Sequence, residues 1–188
     1  FLDHDDQLHP HALACLIDEL NKGPTYDLIY TDEDKINDWG YRSEPHFKPD
    51  WNPDLLLSQN YVCHFAIYRA KIIREIGGLR EGYEGAQDYD LLLRFTEKTE
   101  KILHIPLVLY HWRAIEGSTA LDGAEKEYAH ERAEKALQDT MRRRGISGDV
   151  MPSSLGVFHR IKYEVPECSP LVSIIIPTRD RVELVKVC

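Results

Sequence analysis

The chain has 188 residues, 43% hydrophobic and 29% charged, which is length and composition enough for one domain with a real core. Its formal net charge of -9 excludes non-specific nucleic-acid binding, which needs a basic stripe, and obliges an anionic substrate to rely on a metal or a few placed Arg and Lys residues. Cys15, Cys63, Cys168 and Cys188 form no Cys-x-x-Cys pair and read as reduced thiols of a cytosolic setting, and no apolar run is long enough to span a bilayer.

Phe1-Leu2 reads as a strand end running into Asp3-His4-Asp5-Asp6. Leu13, Leu16, Ile17 and Leu20 recur at helical spacing, with Pro10 near the start and Gly23-Pro24 after the end. A short strand, 27–31, leads to a second acidic turn, Asp32-Glu33-Asp34. Residues 39–53 read as a long irregular loop, of the kind that is uncommon unless functional. Residues 61–68 read as a strand, 70–76 as a helix stopped by Gly77-Gly78, and about 87–98 as a second helix whose buried face is Leu91, Leu92 and Phe95. Two extended segments, 102–105 and 107–112, flank Pro106. A charged helix over 124–144 carries Tyr128, Leu137 and Met141 on one side and closes at Gly145. Residues 151–154 read as a loop, 155–165 as extended and 167–170 as a linker; 171–177 is a continuous apolar strand of the parallel-sheet kind, followed by a helix start. The fold class is α/β.

Four constellations carry chemistry. Carboxylates crowded at Asp3, Asp5 and Asp6 suit a hard divalent cation holding a diphosphate; the plainer reading is an acidic turn capping the next helix. A calcium loop fails, because Leu8 and Ala14 stand where its glycine and last acid belong. Asp88, in the first turn of a helix behind a glycine loop, suits a general base on a hydroxyl; the plainer reading is dipole compensation, with Asp90 pairing Arg94. Strand alternation puts His111 and Arg113 on one face, where the imidazole suits a metal and the guanidinium a phosphate, although a lone strand His is more often structural. Trp51, Asn60 and Tyr61 offer the aromatic faces and polar edges that a sugar needs, or else pin a loop to the core.

The order of these motifs is more specific than any one of them. Phe1-Leu2-Asp3-His4-Asp5-Asp6, then Ile29-Tyr30-Thr31-Asp32-Glu33-Asp34-Lys35, then Phe47-Lys48-Pro49-Asp50-Trp51, then Gly85-Ala86-Gln87-Asp88-Tyr89-Asp90-Leu91, then Tyr110-His111-Trp112-Arg113 resembles the inverting family 2 glycosyltransferases, above all bacterial ones that build surface polysaccharides such as O-antigen. The resemblance covers about residues 1–121. The tail Val172-Ser173-Ile174-Ile175-Ile176-Pro177-Thr178-Arg179-Asp180-Arg181 resembles the first strand and loop of another domain of that family, as in a tandem enzyme.

The resemblance implies a partial GT-A fold, a Rossmann-like α/β sandwich with a mixed sheet that lacks its N-terminal nucleotide-binding strands. The implied division is 1–123 for the rear of one catalytic domain, 124–149 for a charged helix, 150–170 for a linker and 171–188 for the opening of a second domain. It makes Asp88 the catalytic base; Gln87 stands where the family usually has Glu. It places Asp3, Asp5, Asp6 and Arg113 on the donor, Trp51, Asn60 and Tyr61 on the acceptor, and Asp3, Asp5 and His111 on Mn²⁺ or Mg²⁺. The implied partners are a nucleotide-diphosphate sugar and a glycan or glycolipid acceptor, with no nucleic acid and no transmembrane segment. The implied location is cytoplasmic, peripheral at the inner face of the membrane. The strand at 172–176 is expected to pair with the truncated sheet, within the chain or by a swap between copies, and the isolated chain is expected to be inactive. Two alternatives stay open. One is a non-catalytic carbohydrate-binding or scaffold piece of the same fold. The other is a phosphohydrolase of the haloacid dehalogenase type, disfavoured by Gln7 where Thr or Val belongs.

Overall fold

A computed structural model describes residues 2–23, 25–113, 123–153, 158–168 and 170–187, and the side chains of the long helix from Tyr128 onward. It is a mixed α/β structure built on a mixed sheet. The central strand is β2, Leu28–Ile36, nearly all of it buried. The other strands of the sheet are β1 (Gln7–Leu8), β3 (Arg42–His46), β4 (Ala66–Tyr68) and β5 (Ile102–Arg113), in the order β1-β5-β2-β3, with β4 also on β2. The β2–β5 pair is parallel, and the remaining pairs are antiparallel. Ile105 pairs with Thr31, but the next partner, Asp32, faces Val108. Pro106 therefore sits in a bulge, where a residue without an N–H does least harm, and β5 is one strand rather than two segments.

The sheet has an apolar layer on each face. Leu28 and Tyr30 join Leu92, Leu93, Phe95, Leu137 and Met141, which come from α4 (Gln87–Thr96) and α5 (Gly123–Arg144). Ile29, between them, joins Ala12 and Leu16 of α1 (Ala12–Asn21), as strand alternation requires. Two shorter helices, α2 (Pro53–Leu56) and α3 (Ala70–Glu75), join these parts, and Gly77 and Gly78 at positive φ end the turn after α3. After α5 a hairpin of β6 (Gly148–Pro152) and β7 (His159–Tyr163) returns to the body. It is latched there by two hydrogen bonds of 2.8 Å, from the His159 N–H to the Ser58 carbonyl and from the Ser58 hydroxyl to the His159 carbonyl.

Several expectations change. Asp32-Glu33-Asp34 is no turn: it lies inside β2, at 2%, 6% and 5% exposure. The reversal comes later, at Asn37, whose side chain accepts from the N–H groups of Trp39 and Tyr41, with Gly40 at positive φ. The long loop consequently contains β3, and of 61–68 only the last part is strand. Met151 and Pro152 belong to β6 rather than a loop, and β7 occupies part of 155–165; Ser154 and residues 155–157 lie outside the described residues. In α1, Leu16 is buried but Leu13, Ile17 and Leu20 are 62%, 59% and 45% exposed. Tyr128 in α5 is likewise exposed, whereas Leu137 and Met141 are buried. Residues 171–177 form no strand and pair with no other strand among the described residues; Leu171, Ile174 and Ile175 are exposed, ahead of one short helix, α6 (Val182–Val185). An apolar run becomes a strand only against an edge that meets its backbone groups, and this one meets none here.

Candidate active site

Asp88 stands in the first turn of α4, where the helix dipole favours a carboxylate. Its Oδ2 accepts a 2.8 Å hydrogen bond from Asn60 Nδ2. With Asn60 and Gly85, Asp88 forms the partition between two cavities. The smaller, about 340 Å³, is lined on its far side by Asp3, Cys63, His64 and Tyr110. The larger, about 570 Å³, is bounded by α5 and by Phe158 and His159 of the hairpin. Asp88 is exposed and opens onto both, while the protein packed close around its carboxylate still raises its pKa above the ordinary carboxylate value, against hydrogen bonds and the His64 charge that lower it. A carboxylate with a raised pKa that faces a cavity has the properties of a general base.

The acidic N-terminal segment reaches the same region. Asp3 lines the smaller cavity. Asp6 works as a clamp: one oxygen accepts from the Tyr110 hydroxyl and the other from the Arg113 N–H at 2.7 Å. The Arg113 guanidinium donates to the Asp5 carbonyl at 2.6 Å. Asp6 and Arg113 thus hold the segment on the end of β5. Asp5 is half-buried, with His4 Nδ1 3.7 Å from its carboxylate.

His111 is elsewhere. Its Nδ1 is 2.5 Å from Asp34 Oδ1, and its ring meets His9. Tyr110 and Trp112, its neighbours in β5, both pack on His64, so alternation turns His111 to the opposite face. The structure therefore brings together Asp3, Asn60 and Asp88 but does not gather His111 with Asp3 and Asp5. A hard cation takes oxygen ligands, the type that Asp3 and Asp5 carry; the buried imidazole is already bonded to Asp34.

Sequence reasoning missed a second set of residues, under the floor of the smaller cavity. Glu33 Oε2 accepts from Lys48 Nζ at 3.2 Å and from the His64 N–H at 2.6 Å, and lies 3.0 Å from His64 Nδ1. Lys48 is fully buried and also donates to the Val62 and Cys63 carbonyls. Burial alone would raise the Glu33 pKa; hydrogen bonds from His46 and His64 and the Lys48 charge overcome this and hold it well below the carboxylate range. Burial likewise depresses His64, but its bond to Glu33 prevails and raises it. Ligand atoms of Glu33, Cys63 and His64 lie within 4.8 Å of one another, the spacing of a metal site. Glu33 already has its full set of donors, however, and burial pushes the Cys63 thiol far up, so the group reads as a self-neutralised ion cluster. The available signal was the absence of Gly or Pro between Leu28 and Ile36, which permits one unbroken strand.

Of the expected acceptor residues, Asn60 lies on the partition. Tyr61 does not reach it: it is 1% exposed, and its hydroxyl accepts from the Asn52 N–H at 2.8 Å. Trp51 stacks on Tyr61 and packs against the core. These two rings pin the loop, and their faces are spent on each other rather than on a ligand.

No family model matches the chain. It is 46% identical over 190 residues to the uncharacterized protein y4gI of Sinorhizobium fredii, covering 98% of this chain and 21% of that protein. It is 43% identical over 186 residues to the O-antigen biosynthesis protein RfbC of Myxococcus xanthus, covering 99% of this chain and 14% of that one. A hyaluronan synthase of Pasteurella multocida is 27% identical over 111 residues, 58% of this chain and 11% of the synthase. The chain therefore spans about a fifth or less of the length of the curated relatives it matches.

Proposed function

We propose that this chain carries the base side of a glycosyl-transfer site in polysaccharide synthesis, in a partial GT-A fold of the inverting family 2 type. The observation that carries the reading is the place of Asp88: a carboxylate with a raised pKa that lines two cavities, the smaller of them lined by Asp3 as well. The similarity to RfbC along nearly the whole chain, and the weaker similarity to hyaluronan synthase, support the same class of chemistry.

In this reading the donor is a nucleotide-diphosphate sugar, placed in the smaller cavity, and the acceptor hydroxyl comes from the larger. Asp88 takes the hydroxyl proton as the oxygen attacks the anomeric carbon, and the bond from that carbon to the diphosphate breaks on the opposite face. Asn60 holds one carboxylate oxygen, so the base is oriented before the acceptor arrives. Asp3 and Asp5 are the side chains that would hold Mn²⁺ or Mg²⁺, and such an ion, when bound, offsets charge on the departing diphosphate. The buried His111–Asp34 pair has no part in this set.

The test is transfer from UDP- and dTDP-sugars by the full-length gene product. Asp88→Asn is expected to lower kcat by about 10²- to 10⁴-fold, the usual weight of a general base. An unchanged rate would instead favour the non-catalytic scaffold. Asp3→Ala should abolish any response of the rate to added Mn²⁺, whereas His111→Gln should preserve it.

A further inference from the structure

We propose that the 570 Å³ cavity between α4, α5 and the β6–β7 hairpin is a binding site for an uncharged sugar ring, anchored on His159 Nε2 and Asn60 Oδ1. The proposal rests on the transfer reading for the ring's role as acceptor, though not for the binding itself.

Two buried polar atoms of residues that line this cavity, Asn60 Oδ1 and His159 Nε2, have no hydrogen-bond partner among the described residues. Such atoms are costly unless a water or a ligand meets them. The Asn60 amide cannot simply turn over. Its Nδ2 must face Asp88, because a carboxylate only accepts, so Oδ1 awaits a donor. His159 is 5% exposed, and burial, then the His130 ring, lower its pKa to about 4, so its ring is neutral near pH 7. A hydroxyl both donates and accepts, and therefore satisfies the amide oxygen and either tautomer of the imidazole.

The rest of the cavity suits the body of a sugar. His130 and His159 stack at 4.1 Å with ring planes 13° apart, beside Phe158. On α5, beside His130, the small side chains of Ala129 and Ala133 also line the cavity. Gly85 permits that placement of the helix: at φ +83° a Cβ would stand 3.3 Å from the Tyr128 ring and push the helix away. Among the described residues the lining contains no Arg or Lys, and Asp88 adds negative charge, so an anion is disfavoured. The volume is that of a small-molecule site. Helix α5 and the hairpin, which the sequence suggests as a charged helix and an extended linker, thus become one wall of the site.

The test uses the chain labelled with ¹³C in its histidine rings and titrated with the methyl glycosides of mannose, galactose, N-acetylglucosamine and rhamnose, with inorganic phosphate as control. At least one glycoside is expected to move the His130 and His159 signals saturably and leave those of exposed His4 and His11 in place. Silence with all four, or equal movement with phosphate, would overturn the proposal. His159→Phe keeps the stack but loses the nitrogen, and Ala129→Leu fills the cavity from the helix; either should abolish the shift. In the full-length product both should raise the acceptor KM about tenfold with kcat little changed, the loss expected for one unmet hydrogen bond. If Asp88→Asn cuts kcat while these variants leave KM alone, the sugar site is wrong and the transfer reading stands. If glycosides bind but Asp88→Asn turns over normally, the site stands and the transfer reading falls.

Discussion

Asp88 and Asp90 stand two residues apart in the first turn of the same helix, and their surroundings are opposite. Asp88 faces two cavities and has Asn60 as its side-chain partner. Asp90 is 0% exposed and enclosed by two guanidiniums, Arg80 and Arg94, within about hydrogen-bond length. Arg94 also closes the loop after α3 through the Ile76 and Gly78 carbonyls. The same division separates the whole N-terminal acidic segment from the acidic run of β2. Asp3 opens onto a cavity, whereas Asp32, Glu33 and Asp34 are each met by a buried or half-buried cation or imidazole. Acidic residues that look alike in a sequence thus divide by what surrounds them. Those already paired hold the fold together, and those left facing space are the ones able to act.

The sharpest way to break this comparison is to exchange the two helix carboxylates for amides. Asp90→Asn should cost about 3–5 kcal/mol in urea unfolding, because it takes from the buried Arg94 its carboxylate and leaves Arg80 with Asp139 alone, at 3.3 Å. Asp88→Asn should leave the chain about as stable as before, because Asp88 is exposed and its surroundings raise its pKa rather than hold its charge. Equal costs would mean that Asp88 is as structural as its neighbour.

Glu33→Gln comes next. It leaves the fully buried Lys48 without its carboxylate and should also cost about 3–5 kcal/mol. Adding Lys48→Met should recover part of that loss, since a missing pair is cheaper than a lone buried charge. Failure of the second change to help would show that Lys48 is held mainly by the Val62 and Cys63 carbonyls.

The two kinds of carboxylate should also respond to acid with opposite sign. Glu33 has a folded-state pKa below its ordinary 4.5, so its contribution is full above that value and is lost as pH falls through the depressed one. Asp88 has a folded-state pKa above its ordinary 3.8, so the folded state binds the extra proton, and its contribution is lost as pH rises through the raised value. Urea midpoints of Glu33→Gln and Asp88→Asn followed against pH should therefore move toward the parent curve from opposite sides as the medium is acidified. Parallel curves would refute the assignment of either shift.

The sequence was informative where a local rule operates. The spans of α1, α3, α4 and α5 follow from periodicity and glycine stops, and the Asp90–Arg94 pair follows from helical spacing. It misled where partners come from afar. Nothing local in Asp32-Glu33-Asp34 announces that His104, Lys48 and His111 will arrive to partner it. For the same reason His111 resembled a metal ligand, and Tyr61 a sugar platform, although each had a partner already. The larger cavity was invisible because its wall joins α4 to a hairpin far along the chain, latched at Ser58 and His159.

The smallest expected effect concerns α1, which is apolar on a face that nothing in the described residues covers. Leu16, turned instead toward Ile29 and the sheet, is buried, and Leu16→Ala should cost about 2–5 kcal/mol. Ile17 follows it at 59% exposure, and Ile17→Ser should stay within about 0.5 kcal/mol, since a surface change removes little buried area. Both are read as urea midpoints at several protein concentrations. A cost for Ile17→Ser as large as that for Leu16→Ala would mean that the face is covered in solution. Growth of that cost with protein concentration would identify the cover as a second copy, and a constant cost would identify it as another part of the same chain, with the exposed apolar run 171–176 the first segment to truncate.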